Sequence, residues 1–497
     1  MFSKDTILNL PKDIIINTIN RYKGHKRCLQ KSDIYQNVKH DEFIDQKSKY
    51  FDNGILDSNK KFSVDENINH LTGWVPYIKD KTSILIYNFF SVNYSIRKNL
   101  VLKISILKNH KVYFSKFLSL KQYDIIELGK NFFDLKSIKN GIIVVQVYHP
   151  KISKKHGGGQ FRYWSKYYDE EDNYMATVHS MPLNYKKYTK EKHYGRNYFP
   201  NHKISENKNI NASLQLDDVK EGDIGLSMGG YNMVLDKQDN PLAIWHMGPA
   251  YNIKNESLEI KKYYHCLWIP KNENINPRII VDNKETFLGD SQEQVLKVKI
   301  ISNNKIIQEK ELKFSNFFES TINEIFETKF QFDYIIFLEF YSKLFSYLQI
   351  NYDNKSIGDQ VHTHRANFYY DDTNNLKFFN EEKEKNCRKF MHIYFKNNEY
   401  TNYLVVHNAK LMNKKKKNIK IRYLDENHIE EVKNIEIEDD KILAIFNLNS
   451  LFEDKIKNSK LNKAVIQLES KDYNFDSTIF CHNQKNDKIA IDHLTGG

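Results

Sequence analysis

The sequence has 497 residues with a formal net charge of +12, 40% hydrophobic and 13% aromatic residues, and only 18 glycines and 9 prolines. This composition excludes a disordered or collagen-like chain, and the length predicts roughly two to four domains with substantial hydrophobic cores. The positive charge raises nucleic acid as a partner, but no RNA-recognition, helix-turn-helix or zinc-finger pattern accompanies it. We therefore attribute the charge to a Lys- and Asn-rich composition typical of an AT-rich genome. A polyanion-binding protein remains only as part of the second alternative interpretation, beside a metal-binding protein.

The four cysteines are scattered and show no C-x-x-C pairing: Cys28, Cys266, Cys387 and Cys481. This spacing argues against a zinc ribbon and a disulfide scaffold, and it favours a reducing compartment. The first residues lack the pattern of a signal peptide, and no apolar run approaches the roughly 20 residues of a membrane span. The sequence thus predicts a cytoplasmic protein without a membrane span, and nothing in it indicates a cofactor.

Short strand-like segments dominate from about residue 75 onward. Val101-Leu-Lys-Ile-Ser-Ile106 alternates apolar and polar residues, as a half-buried strand does, and Gly141-Ile-Ile-Val-Val-Gln-Val147 is typical of a strand covered on both faces. Similar segments occur in the same order in three rounds: 84–88, 101–106, 117–120 and 141–147; then 279–283, 295–300, 311–314 and 334–340; then 404–408, 419–424, 435–437 and 464–468. We predict an all-β protein with three tandem immunoglobulin-like or jelly-roll-like β-sandwiches.

Each round ends with a recurring unit made of a polar turn, a short apolar strand and a histidine. The copies end at His179, His362 and His493, and related segments end at His246 and His70. Internal repetition of this kind indicates architecture before function. The predicted division is an N-terminal extension (1–73) with a short helix from Pro11 to Gly24 and a closing β-hairpin, a first sandwich (74–184), an insertion with a connecting hairpin (185–250), a second sandwich (251–370), a charged linker (371–388) and a third sandwich (389–497).

An aromatic-rich loop at 154–172 is the favoured ligand-binding element. It places aromatic rings beside arginine, carboxylates and glycines, a mixture that suits sugar rings and protein interfaces. Alternate aromatic residues of this segment are equally expected to be core residues of a strand. The predicted ligand-binding residues are Phe161, Arg162, Tyr163, Trp164, Tyr167 and Asp169.

Two glycine-rich segments suggest an enzyme as the first alternative. Gly225-Leu-Ser227-Met-Gly229 fits G-x-S-x-G, and His156-Gly-Gly-Gly159 lies upstream. Together they resemble the nucleophile elbow and oxyanion loop of α/β-hydrolases, in particular hormone-sensitive-lipase-like esterases. The resemblance implies Ser227 as nucleophile, with backbone N–H groups at Gly157 and Gly158 stabilising the oxyanion. It covers about ten residues, and the early Pro241 and the β-repeats depart from the family's pattern.

A histidine pair suggests a metal site as the second alternative. His362 and His364 have the i, i+2 spacing that places two side chains on the same face of a strand. Further ligands would have to converge from elsewhere. The favoured interpretation remains a non-catalytic binding or scaffold protein of repeated β-sandwiches, with carbohydrate, a cell-surface polymer or a protein as its ligand.

Overall fold

The computed structural model describes the greater part of the chain from residue 70 onward. The described residues are 70–88, 100–108, 111–121, 124–148, 162–169, 171–184, 213–214, 225–226, 231–235, 241–246, 261–271, 275–282, 293–315, 317–342, 347–354, 360–362, 368–370, 376–378, 387–396, 399–407, 416–425, 429–438, 443–459, 462–470, 477–485, 487–493 and 495–496. The predicted N-terminal helix lies outside this set. Nearly all of the described secondary structure is β-strand, so the predicted all-β class is confirmed.

The first round consists of eight strands followed by a connecting segment. Its strands are β1 (His70–Ile78), β2 (Thr82–Tyr87), β3 (Leu100–Lys108), β4 (Lys111–Leu120), β5 (Ile125–Leu128), β6 (Asn140–Tyr148), β7 (Trp164–Tyr168) and β8 (Tyr174–His179). The connecting segment contributes β9 (Met181–Asn184), β10 (Ser213–Leu214), β11 (Gly225–Leu226), β12 (Tyr231–Leu235) and β13 (Pro241–His246). β12 and β13 form the antiparallel hairpin that the sequence predicts.

The second and third rounds repeat this order. The second contains β14 (Lys261–Ile269), β15 (Ile275–Asp282), β16 (Gln294–Ser302), β17 (Lys305–Phe314), β18 (Phe317–Thr321), helix α1 (Ile322–Phe326), β19 (Tyr334–Ser342), β20 (Tyr347–Asn354) and β21 (Gln360–His362), and is followed by β22 (Phe368–Tyr370) and β23 (Leu376–Phe378). The third contains β24 (Cys387–Tyr394), β25 (Tyr400–His407), β26 (Lys416–Asp425), β27 (Glu430–Glu438), β28 (Leu443–Asn447), helices α2 (Leu448–Leu451) and α3 (Glu453–Asn458), β29 (Lys463–Ser470), β30 (Ser477–Asn483), β31 (Ile489–His493) and β32 (Thr495–Gly496).

The strand order within the sheets is the same in all three rounds. The larger sheets run β11-β9-β1-β6-β3-β4, β23-β22-β14-β19-β16-β17 and β32-β24-β29-β26-β27. The smaller sheets run β5-β2-β7-β8, β18-β15-β20-β21 and β28-β25-β30-β31. Each sequence-predicted landmark therefore occupies the same sheet position in every round. The domain boundaries stay a prediction. Strand β1 spans the predicted boundary at residue 73, and β23 lies in the predicted linker.

Alternating side chains explain how these strands build a core. In β16, Leu296, Val298 and Ile300 are buried while Lys297 and Lys299 face outward, which is the period-2 pattern of a half-buried strand. In β2, by contrast, every residue is buried. The smaller sheet of the first round therefore has both of its faces covered.

The covering layer comes from other rounds. Trp164 on β7 packs against His392 on β24, and Trp268 on β14 packs against Tyr403 and Phe480 of the third round. The smaller sheet of one round thus rests on the larger sheet of another. Ile244 on β13 belongs to the same hydrophobic core as the first round. The connecting segment therefore also packs onto this core.

The histidine-ended strands lie together in a closed cycle. β8 contacts β13 and β31, and β21 contacts the same two strands. The repeated unit found in the sequence therefore marks where the rounds meet as well as where they end. The contact of β8 with β31 closes the cycle, because it joins the first round to the third.

Candidate functional site: the junction between the first and third rounds

The junction is centred on a carboxylate that three strands position. Glu127 lies on β5, at the edge of the smaller sheet, and its side chain is 14% exposed. Ser83 on β2 donates a hydrogen bond of 2.7 Å to Glu127 Oε1, and the Tyr168 hydroxyl on β7 donates one of 2.9 Å to the same oxygen. These neutral donors hold the carboxylate in place within the first round.

Two ammonium groups neutralise Glu127, one from each round. Lys166 Nζ on β7 lies 3.1 Å from Glu127 Oε1, and Lys463 Nζ on β29 lies 2.9 Å from Oε2. Burial raises the pKa of Glu127, but the two ammonium groups and their hydrogen bonds outweigh this effect and hold that pKa well below its usual range. Glu127 is therefore a carboxylate that ties the first round to the third.

Lys166 is fully buried, and aromatic rings from both rounds surround its charge. Its side chain has 0% exposure, and Nζ lies 4.4 Å from the ring centroid of Tyr394, 5.4 Å from that of Tyr174 and 5.6 Å from that of Tyr168. Burial lowers the pKa of Lys166, while the charge of Glu127 opposes that shift. Cation–π contacts offset part of the cost of removing an ammonium group from water.

Tyrosine hydroxyls and a histidine complete the contact. The Tyr174 hydroxyl and His392 Nε2 are 2.8 Å apart, and the Tyr400 hydroxyl accepts a 3.1 Å hydrogen bond from the Tyr174 backbone N–H. Burial lowers the pKa of His392 to about 3, with the nearby charge of Lys166 acting in the same direction. His392 is therefore neutral at physiological pH.

A second buried pair lies where β8 meets β31. The His179 backbone N–H donates to Asp492 Oδ2 at 2.8 Å, and His179 Nδ1 lies 3.0 Å from the same oxygen. The two side chains are only 1% and 4% exposed. The histidine of the recurring unit thus bonds to the residue that precedes the histidine of another copy.

The buried groups of this junction hold the first and third rounds together. Its charged and titratable groups are buried and contact one another across the junction, so their binding energy stabilises the arrangement of the two rounds. In the part of the chain that the structure describes, no group of three or more His, Cys, Asp or Glu side chains is placed to hold a metal ion. No helix among the described residues is long and apolar enough to cross a membrane.

The predicted aromatic ligand residues lie mostly in the interior. Tyr163, Trp164 and Tyr167 are at most 2% exposed. The Tyr163 hydroxyl donates to the carbonyl oxygens of Gly73 and Ile143, and that of Tyr167 donates to the carbonyl of Pro76. These rings connect the two sheets of the first round, as the core alternative for this segment predicted.

Arg162 and Asp169, two other predicted ligand residues, do not belong to this buried aromatic group. Arg162 is partly exposed, and its Nη1 donates to the Ser180 carbonyl at 2.7 Å. Asp169 accepts hydrogen bonds from the backbone N–H groups of Glu171 and Asn173 and so closes the turn before β8. Phe161 lies outside the described residues. Whether any of these residues contacts a ligand stays a prediction.

The context of the esterase-like motif differs from the one that the resemblance requires. β11 pairs antiparallel with β9, and strand β12 begins at Tyr231, four residues after Ser227. A nucleophile elbow needs a long helix after the serine, and this spacing leaves no room for one. Ser227, Gly157 and Gly158 themselves lie outside the described residues, as does His364. His362 ends β21 and pairs with Gln349.

Sequence reasoning missed the residues of the junction itself. Glu127, Lys166 and His392 belong to short strands without a motif, and their partners are distant in sequence. One sequence signal near them was the histidine unit, which predicted repeat ends and includes His179. A second was the position of Lys166 within a run of aromatic residues, which the sequence predicts to be a ligand loop.

No family model matches the sequence, and no curated protein matches it. Among solved structures, the chain is similar to the M60 catalytic domain with the CBM51-1 and CBM51-2 domains of Clostridium perfringens ZmpB, at 8% identity and a TM-score of 0.12. The alignment covers 84% of this chain and 55% of that one, so the chain spans about half the length of that structure. A TM-score of this size carries no argument about fold or function, and the chain is assigned to no family.

Proposed function

We propose that this protein is a non-catalytic scaffold that holds several β-sandwich rounds in one fixed arrangement and binds its ligand on the outer surface. The observation that carries the proposal is the buried junction centred on Glu127, Lys166 and Lys463. Sandwiches joined only by linkers move relative to one another by default. Here a charged and aromatic network joins segments as far apart as His179 and Asp492, which are separated by 313 positions.

The outer hairpins are the proposed ligand-binding elements. The β3–β4 and β16–β17 hairpins form the same edge of their larger sheets, and each contains a one-residue β-bulge. The bulged residues are Tyr113 and Ile307, which are 39% and 47% exposed. Bulges re-aim side chains and are frequent at functional edges. Beside the equivalent strand β27 of the third round, Ile429 is 40% exposed.

A repeating polymer is the proposed ligand class. Equivalent exposed positions on a fixed body can engage equivalent units of one polymer at the same time, which raises avidity without a strong individual contact. A carbohydrate of the cell surface has this regularity, and its apolar C–H faces suit the exposed ring of Tyr113. The aromatic segment at 154–172, in which the predicted ligand residues Arg162 and Asp169 are partly exposed, remains a predicted secondary contact.

Retention on immobilised polysaccharides tests the proposal. The wild type is compared with a Tyr113→Ser/Ile307→Ser double variant and with Tyr341→Ser, a control that removes a ring of similar exposure, 47%, from a different strand. We expect the wild type and the control to be retained on at least one polymer and the double variant to be released at least tenfold faster. Equal retention of all three proteins, or no retention of the wild type on any polysaccharide, would overturn the proposed ligand class.

A further inference from the structure

The junction between the first and third rounds has the features of a reversible contact. Its two surfaces belong to separately hydrogen-bonded sheets, since β7 and β8 pair within the first round and β24 pairs with β29 within the third. Separating them breaks side-chain contacts and leaves both ladders intact. The junction could therefore open without unfolding either sandwich.

The geometry points to an acid-opened latch: the two rounds are joined at neutral pH, and protonation of His392 at mildly acidic pH drives them apart. His392 lies between rings of the opposite round, with its centroid 5.7 Å from Trp164 and 5.9 Å from Tyr174. It is 2% exposed. An imidazolium at this position would be a buried cation beside the existing charge of Lys166.

The sign of the pH effect follows from the position of the histidine. Burial lowers the pKa of His392 from 6.5 to about 3 in the closed junction, and opening returns the ring to water and to its ordinary pKa. The open state therefore binds more protons between these two values. The stability that His392 contributes is complete above pH 6.5 and is lost as the pH falls toward 3.

Other charged and titratable groups of the junction also face the site. Those facing the site are Glu127 on β5, Lys166 and Tyr168 on β7, Tyr174 and His179 on β8, Tyr394 on β24, Tyr400 on β25, Lys463 on β29, Cys481 on β30 and Asp492 on β31. Glu127 and Asp492 raise the pKa of His392, but burial and Lys166 outweigh them. Burial also lowers the pKa of Lys166, so this group does not oppose the sign of the His392 effect.

The expected size of the effect comes from the two pKa values of the histidine. With 6.5 in the open state and about 3 in the closed state, the ratio of open to closed molecules rises by about 30-fold between pH 7.5 and pH 5.0. Glu127 contributes little in this window, because its ordinary pKa of 4.5 already lies below it.

Two backbone amides report the opening directly. The N–H groups of Tyr174 and His179 donate across the junction, to the Tyr400 hydroxyl and to the Asp492 carboxylate. Hydrogen exchange of the full chain at pH 7.5 and 5.0, expressed as protection factors to remove the intrinsic pH dependence, should show a fall of about 30-fold at both amides. Val298, inside the second round, should keep its protection.

The matched variants are His392→Gln and His482→Gln. Glutamine retains an acceptor for the Tyr174 hydroxyl but does not titrate. In His392→Gln, the protection factors of the Tyr174 and His179 amides should therefore fall by less than about threefold. His482 pairs with Asp487 inside the third round, and its replacement should leave the full fall. If His392→Gln does not fold, the pH dependence of the wild-type protection factors decides: each opening should take up close to one proton between pH 6 and pH 5, a range that lies above the ordinary pKa of Glu127. The proposal would be overturned if the protection factors of the wild type did not change between pH 7.5 and pH 5.0. It would also be overturned if they fell equally in the wild type and His392→Gln, or if the protection factor of Val298 fell in parallel.

Discussion

Removing the carboxylate of Glu127 should weaken the structure far more than removing the ammonium of Lys166. In Glu127→Gln, Lys166 stays buried at 0% exposure without its counter-charge, and breaking a buried pair in this way costs about 3–5 kcal/mol. In Lys166→Met, Glu127 keeps the Lys463 ammonium at 2.9 Å and the Ser83 hydroxyl. The thioether also keeps contact with the tyrosine rings, so the cost should stay within about 1 kcal/mol of zero.

Urea unfolding at pH 7.5 measures the difference. Intrinsic fluorescence reports the junction, because Trp164 lies against His392, and far-ultraviolet circular dichroism reports the sheets. The double variant Glu127→Gln/Lys166→Met should recover most of the stability that Glu127→Gln loses, since no buried charge then lacks a partner. The reasoning would be refuted if Lys166→Met cost as much as Glu127→Gln, or if the double variant were as unstable as the sum of both.

Three further predictions concern single positions. Gly141→Ala should destabilise the first round by about 1–3 kcal/mol in thermal melting, because a Cβ there would lie 2.5 Å from the Leu107 carbonyl oxygen; an unchanged melting temperature would contradict the packing of β6 on β3. Asp492→Ala should cost about 1–3 kcal/mol in urea unfolding by leaving the buried His179 N–H without its acceptor, whereas a neutral outcome would mean that the bond between β8 and β31 is not made. Burial raises the pKa of the Cys481 thiol to about 12, so alkylation at pH 8 should modify it only in urea, and rapid labelling of the folded protein would show that β30 is open.

The repeated order of strands could be predicted because each landmark strand carries its own pattern. Leu296, Val298 and Ile300 alternate with lysines on β16, and the apolar run of β6 is visible without any partner. The first strand of each round was missed, because β1 and β14 mix small, polar and aromatic residues in no simple period. The residues of these strands are buried because neighbouring sheets cover them, and a short stretch of sequence does not reveal those sheets.

The aromatic segment shows why composition alone could not identify a binding surface. Tyr163, Trp164 and Tyr167 are residues that either a ligand platform or a core would use, and both possibilities were visible in the sequence. Hydrogen bonds from two of these tyrosines to carbonyls of the opposite sheet place them in the interior. The deciding information is the partner of each hydroxyl, and those partners lie up to 91 positions away.

The histidine-ended unit links the repeat to the junction. Asp492 and His179 occupy neighbouring positions of two copies of the same unit, and their bond joins the last round to the first. The residues before the other four histidines are Asn69, Val178, Trp245 and Val361, none of which carries a carboxylate. Identical bonds between all copies are therefore impossible. The charged contact is specific to the place where the cycle of strands closes, which is also where Glu127, Lys166 and His392 meet.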